Sequence, residues 1–319
     1  MTLGALTPPL EPLAAQADPR LAAAPAPALG VRGTLAAWGE LSKVRLSSLV
    51  LVTAGIGWFG AGGGWAPGLV TSLLGTALAA FGASVLNQWL ERAHDLQMER
   101  TRGRPLPSGR VSPERAFAGG AGMAAAGALV LALAHGPIPA ALALLTVVLY
   151  ALVYTPLKRR TSLCTQVGAV CGALPPMIGW TAVTGALDPG AWVLFAILFA
   201  WQIPHFLAID WLHRADYARG GFRMLSATDP TGALTGRLAT TWALALVPVT
   251  LLAPTVGLGG WLYAIGALGL GLAFVALSAA LWLRPTEARA RRLFLASLLH
   301  LPLLLGLLVL DPTSALLAR

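Results

Sequence analysis

The sequence predicts an all-α polytopic membrane protein with nine transmembrane helices, and three observations carry that prediction. The composition is too apolar for a soluble domain, nine apolar runs are long enough to cross a bilayer, and the basic residues sort to one side. Of the 319 residues, 56% are hydrophobic and 11% charged, with a mean hydropathy of +0.72, whereas a soluble domain carries about 25% charged residues. The 36 Gly and 23 Pro are dispersed among the apolar runs, which excludes a low-complexity or collagen-like chain.

A membrane-crossing helix needs about 20 predominantly apolar residues. Such runs lie near 46–65, 69–90, 116–134, 138–156, 164–183, 191–211, 238–257, 261–283 and 293–310. Only His135-Gly136-Pro137 separates the third from the fourth, and the fifth contains Pro175-Pro176, so helix breakers bear on both boundaries. Lys and Arg gather in cytoplasmic loops. With nine spans, every basic residue except Arg319 falls before the first span or after an even-numbered one. The net charge of +9 is therefore read as topology, with the N-terminus cytoplasmic and the C-terminus outside, and no nucleic-acid partner is expected.

Residues 1–40, with Pro8-Pro9, Pro12, Pro19, Pro25 and Pro27 among alanines, read as a disordered cytoplasmic tail and not as a signal peptide. Residues 41–319 form the membrane domain. The lead has no Arg-rich, Ser-rich transit character, which favours a bacterial plasma (inner) membrane over an organelle. Cys164 and Cys171 on one helix would lie roughly 10 Å apart, beyond the ~7 Å limit for a disulfide, and read as packing residues.

The chemistry concentrates on the side that holds the basic residues. Asn87, Glu91 and Asp95 are spaced four apart at the end of the second span, so a continuing helix places an amide and two carboxylates within an arc of about 80°. Hard oxygen donors at that spacing suit Mg²⁺ that is also bound by substrate phosphates. Arg102 and Arg104 follow with guanidinium forks matched to phosphate oxygens. After the fourth span, Tyr154 precedes Lys158-Arg159-Arg160; Lys158 offers a point charge to a diphosphate, while the two arginines serve equally well as topology anchors. After the sixth span come His205, Asp210, Arg214, Asp216 and Tyr217. Asp216 reads as a further Mg²⁺ ligand, Asp210 as a partner for Arg214 four residues on, and His205 as either a hydrogen-bonded core residue or a ligand. Three such clusters on one side imply a boundary pocket for a diphosphate head with an apolar tail, where loss of pyrophosphate is assisted by Mg²⁺, Arg and Lys.

These residues resemble the UbiA superfamily of intramembrane prenyltransferases from about Lys43 to the ninth span. The first family motif is matched by Asn87, Glu91, Asp95, Met98 and Arg100-Thr101-Arg102-Gly103-Arg104-Pro105-Leu106-Pro107-Ser108-Gly109-Arg110. Tyr154 to Thr161, Gly172 to Trp180, and Trp201-Gln202-Ile203-Pro204-His205-Phe206 with Asp216-Tyr217 look like the branch of that superfamily that acts on haem. The resemblance implies a nine-helix prenyltransferase bundle in which Asn87, Glu91, Asp95 and Asp216 hold Mg²⁺-diphosphate. It further implies that Arg102, Arg104, Lys158 and Tyr154 contact the diphosphate or the developing cation, with His205 and Tyr217 on the substrate side. The substrates would be farnesyl diphosphate and haem b, the products haem O and pyrophosphate, and haem an acceptor and not a redox cofactor. Haem-handling or terminal-oxidase assembly proteins are the partners that such a role implies. The chain departs from the family pattern at Glu91, where Asp is usual, at Ala93, at Cys164, and at Arg223, where Pro is usual. A related enzyme acting on an aromatic or other lipophilic acceptor, or a non-catalytic transporter or assembly protein that keeps the bundle, are the competing readings.

Overall fold

The computed structural model describes residues 30–311, and every regular element within them is a helix. A short helix α1 (Val31–Leu41) leads into α2 (Val44–Gly60), α3 (Pro67–Asp95) and α4 (Pro113–His135). Helix α5 (Pro137–Val148) runs through a π-helical segment, Leu149–Tyr154, into the single turn α6 (Thr155–Leu157). Then follow α7 (Cys164–Thr184), α8 (Pro189–Leu212), the six-residue α9 (Arg214–Arg219), α10 (Ala233–Thr250), α11 (Trp261–Leu283) and α12 (Glu287–Leu310). Eight continuous helices, one running from α5 to α6, are long and apolar enough to cross a membrane, and α2 is a shorter apolar helix of 17 residues. Together these match the nine expected spans in order and position.

Local chemistry explains the boundaries. Proline sits at the start of α3, α4, α5 and α8, where its missing N–H is no loss and its fixed φ suits a helix. The close pair α4–α5 is separated by Gly136 at φ 91°, a value that favours glycine. Pro175-Pro176 does not break α7, which runs through both. There the Gly57 position faces the Pro176 carbonyl, and a Cβ on Gly179 would lie 1.9 Å from the Ala54 carbonyl oxygen. Helices α2 and α7 thus cross backbone to backbone, a contact that small residues permit within membranes. Helices α3 and α4 pair in the same manner through Gly82 and Gly120.

One finding revises the sequence expectations. Helix α1 falls inside the segment assigned to a tail: it turns Ala37 and Leu41 inward and is held where Gln88 Nε2 donates to the Leu41 carbonyl at 2.7 Å and Arg110 pairs with Glu40 at 2.8 Å. The tail expected over residues 1–29 lies outside the described residues, as does Arg319. Cys164 and Cys171 are free and buried, in agreement with their reading as packing residues.

Candidate diphosphate site at the end of helix α3

The last two turns of α3 present Asn87, Glu91 and Asp95 on one face, all nearly fully buried. Each is met by a cation from a different segment, which makes a ladder of three rungs. At the first, Lys43 Nζ donates to Asn87 Oδ1 at 3.0 Å. At the second, Lys158 Nζ reaches Glu91 Oε1 at 2.9 Å. At the third, Arg104 Nη1 donates to both oxygens of Asp95, at 3.0 and 2.9 Å. Thr101 adds a hydroxyl bond to the Asp95 carbonyl at 2.8 Å, drawing the following loop back over the helix end.

The π-helical segment builds the wall beside this ladder. Pro156 has no N–H to donate into the helix, and the Thr155 hydroxyl donates to the Tyr150 carbonyl at 2.8 Å. The same hydroxyl accepts from Asn87 Nδ2 at 2.8 Å, which aims Asn87 Oδ1 at Lys43. Within the segment Tyr150 and Tyr154 stack, with centroids 5.3 Å apart. The Lys158 ammonium lies 4.5 Å from the Tyr154 centroid and 5.6 Å from that of Phe222. Burial alone would lower the Lys158 pKa, but the Glu91 carboxylate outweighs it and holds the group charged, well above the ordinary lysine value. π-Helical segments are frequent at functional sites.

The loop after α8 closes one side. Arg223 N–H donates to the Lys158 carbonyl at 2.7 Å, a bond that proline at this position could not make. Asp210 accepts from the Ser226 N–H and hydroxyl at 2.9 and 2.5 Å. The expected Asp210–Arg214 pair is not formed; Arg214 instead pairs with Glu287 at 3.0 Å. Desolvation would raise the Asp216 carboxyl, but Arg219, paired with it at 2.7 Å, and the nearby Arg100 together outweigh that and hold it below the usual range. Asp216 lines a separate, open cavity of about 410 Å³ with Glu99, Arg100, Leu212 and His213. Tyr217 sits between Arg100, 5.5 Å from its ring centroid, and Phe222, at 6.0 Å.

The structure thus brings together Asn87, Glu91, Asp95, Arg104, Tyr154 and Lys158, with Tyr217 at the edge in the cluster that Phe222 shares with Tyr154 and Leu157, and leaves three expected residues apart. Asp216 occupies the neighbouring cavity, and Arg102 is exposed. His205 lies within the bundle, its Nδ1 2.6 Å from Ser297 Oγ. Because that serine donates to the Phe294 carbonyl, it accepts from His205, which puts the imidazole proton on Nδ1 and the lone pair on Nε2. Among the described residues no group of three or more His, Cys, Asp or Glu is close enough to hold a metal; the hard oxygens of Asn87, Glu91 and Asp95 are nonetheless the donor chemistry that Mg²⁺ favours. Lys43, Tyr150 and Thr155 are site residues that sequence reasoning missed. For Lys43 a signal existed, since it stands at the head of the first span as Lys158 stands at the foot of the fourth.

Deeper along the bundle an apolar cavity of about 400 Å³ lies between α2, α7, α8 and α12, lined by Leu49, Thr53, Gly172, Trp201, Gln202 and Leu305 among others. Fold and site together define a class: an intramembrane bundle with buried acid–cation pairs at one end of its helices and an apolar chamber beyond them. The chain belongs to the UbiA prenyltransferase family, whose model matches residues 48–301. It is similar to a protoheme IX farnesyltransferase of Solibacter usitatus, 44% identical over 283 residues that cover 85% of this chain and 97% of that one. Among solved structures, a digeranylgeranylglyceryl phosphate synthase superposes with a TM-score of 0.74 at 16% identity, covering 87% of this chain and 98% of that one. A UbiA homologue from Archaeoglobus fulgidus bound to DMAPP and Mg²⁺ gives 0.53 at 13% identity, covering 86% and 99%. These two likenesses show the fold.

Proposed function

We propose that the chain transfers the farnesyl group of farnesyl diphosphate to a vinyl group of haem b, with addition of water, to give haem O and pyrophosphate. The observation that carries this reading is the three-rung ladder above an apolar chamber, in a chain that matches a protoheme IX farnesyltransferase over 85% of its length. Asn87, Glu91 and Asp95 would hold Mg²⁺, in keeping with the Mg²⁺ bound by the A. fulgidus homologue; Asp216 joins that oxygen set only if the α9 segment moves towards the ladder. Bound Mg²⁺ would neutralise the diphosphate and so stabilise departing pyrophosphate.

The chain's own groups do the rest. Lys158 and Arg104 supply positive charge to phosphate oxygens as the C–O bond breaks, with Arg102 at the exposed rim. The stacked faces of Tyr150 and Tyr154 lie where they can stabilise an allylic cation. The apolar chamber takes the hydrocarbon tail and keeps water away until the vinyl carbon has formed its bond. Water then adds to the new cation and loses a proton. His205 Nε2, with Tyr217, is assigned to the acceptor side. The ladder end is placed at the cytoplasmic face of a bacterial plasma membrane, with the C-terminus outside, and haem-handling or oxidase-assembly proteins are the proposed partners.

The test is mass spectrometry of haem recovered after the purified protein is incubated with haem b, farnesyl diphosphate and Mg²⁺. The expected product is heavier than haem b by a farnesyl group and a hydroxyl group, and is lost in Glu91→Gln/Asp95→Asn. Unchanged haem together with pyrophosphate release to an aromatic acceptor would overturn the haem assignment.

A further inference from the structure

We propose that Lys43 is a third cation of the diphosphate site, delivered there by a left-handed backbone at the α1–α2 elbow; this deepens the farnesyl diphosphate reading and rests on it. Lys43 has φ 48° and ψ 47° and is the one non-glycine residue at positive φ among the described residues. A helix that ends in this conformation usually does so on Gly or Asn, because a Cβ is disfavoured there. Outliers of this kind concentrate at functional sites, where surrounding structure holds them.

The elbow is held without help from the lysine side chain. Ser47 Oγ donates to the Ser42 carbonyl at 3.0 Å, Ser47 N–H donates to the Lys43 carbonyl at 3.0 Å, and Gln88 secures the Leu41 carbonyl. The ammonium is therefore free for another task, and it points inward. It lies 3.0 Å from Asn87 Oδ1 and 3.4 Å from the Tyr150 hydroxyl. A lysine serving only as a topology anchor would extend its ammonium to the headgroups and water.

Charge decides what this ammonium binds. Lys158 and Arg104 each face a carboxylate, whereas Lys43 faces a neutral amide, and among the described residues it forms no salt bridge. The first rung thus carries surplus positive charge in a partly buried setting, which an anion would offset. Helix α2 begins at the next residue, and its Leu49, Val50, Thr53 and Ile56 line the apolar cavity. Leu49 lies six residues, roughly 9 Å of helix rise, from Lys43. One helix therefore offers a cation at its head and an apolar wall along its length, the two needs of a prenyl diphosphate.

The experiment compares full-length wild type with Lys43→Gly, which removes the ammonium and keeps the left-handed elbow, and with Lys43→Arg, which keeps the charge. Binding of inorganic pyrophosphate with Mg²⁺ is measured by calorimetry, beside thermal midpoints and steady-state kinetics. Lys43→Gly is expected to keep or raise the thermal midpoint, to weaken pyrophosphate about tenfold, a loss of about 1.4 kcal/mol, and to raise the KM for farnesyl diphosphate with that for haem unchanged. Lys43→Arg should recover most of the pyrophosphate affinity. Should the glycine variant express poorly, Lys43→Asn, which also tolerates this backbone, replaces it. Unchanged pyrophosphate affinity in the glycine variant, an effect confined to haem, or equal loss in the glycine and arginine variants would overturn the proposal. If wild type binds Mg²⁺-pyrophosphate but makes no haem product, the acceptor reading falls, and a tenfold loss in Lys43→Gly still upholds the role of Lys43.

Discussion

Lys158 and Glu91 meet with 15% and 6% of their side chains exposed, so removing one partner strands the other. Lys158→Met is expected to lower stability by about 3 kcal/mol, because the Glu91 carboxylate is left buried without its closest cation. Glu91→Gln/Lys158→Met should regain most of that loss while pyrophosphate affinity stays low; denaturant unfolding and calorimetry read the two effects separately. A single variant as stable as wild type would contradict this pairing. The acidic half of the ladder was legible in the sequence, since Asn87, Glu91 and Asp95 follow the helical period. The rest depends on chain geometry that no period encodes. Lys43 stands 44 residues before its partner and was read only as a topology charge. Thr155 acquires its role through Pro156 and the π-helical segment. The expected Asp210–Arg214 pair fails for a local reason: α8 ends at Leu212 and His213 leaves helical geometry at φ −109°, so the four-residue rule no longer holds beyond it, and Ser226 takes the carboxylate.

Among the elements, the crossing of α2 and α7 matters most for the site, because α2 carries Lys43 at its head. Gly179→Ala would push a methyl into the Ala54 carbonyl and is expected to cost about 1–3 kcal/mol through overpacking. Gly55→Ala, where nothing lies within 4 Å of the added atom, serves as a control and should leave the thermal midpoint unchanged. A Gly179→Ala midpoint equal to the control would show that the two helices tolerate a wider crossing. The spans were readable because each needs only length and apolarity, and Pro175-Pro176 proved compatible with α7, as prolines often are where neighbouring helices pack closely. Helix α1 was not readable as structure. Its 11 residues are too few to hold a helix unaided, and what holds them is Gln88 and Arg110 from later in the chain.

For the whole molecule, we propose from the sorting of Lys and Arg that the nine spans start on the cytoplasmic side and finish on the outer one. Trp65→Cys, in the turn between α2 and α3, and Arg160→Cys, after α6, test it. On intact cells a membrane-impermeant maleimide is expected to label position 65 and to spare position 160; the reverse pattern would invert the topology. The native Cys164 and Cys171 are buried and should contribute little background. The segment Leu149–Tyr154 has a consequence at this scale as well. A π-helical segment holds one residue more than the α-helix it interrupts. Deleting a single residue there would restore an unbroken α-helix and, because the extra residue is taken up within the segment's own wide turn, leave Lys158 close to its present orientation. What would change is the wall beside the ladder, since the stacked pair Tyr150 and Tyr154 and the five-residue reach of the Thr155 hydroxyl to the Tyr150 carbonyl both depend on that turn. The number of residues between Leu149 and Tyr154 is thus as much a part of the site as the side chains that face it, and a gene that lost one codon there would keep nine spans and lose the tyrosine wall.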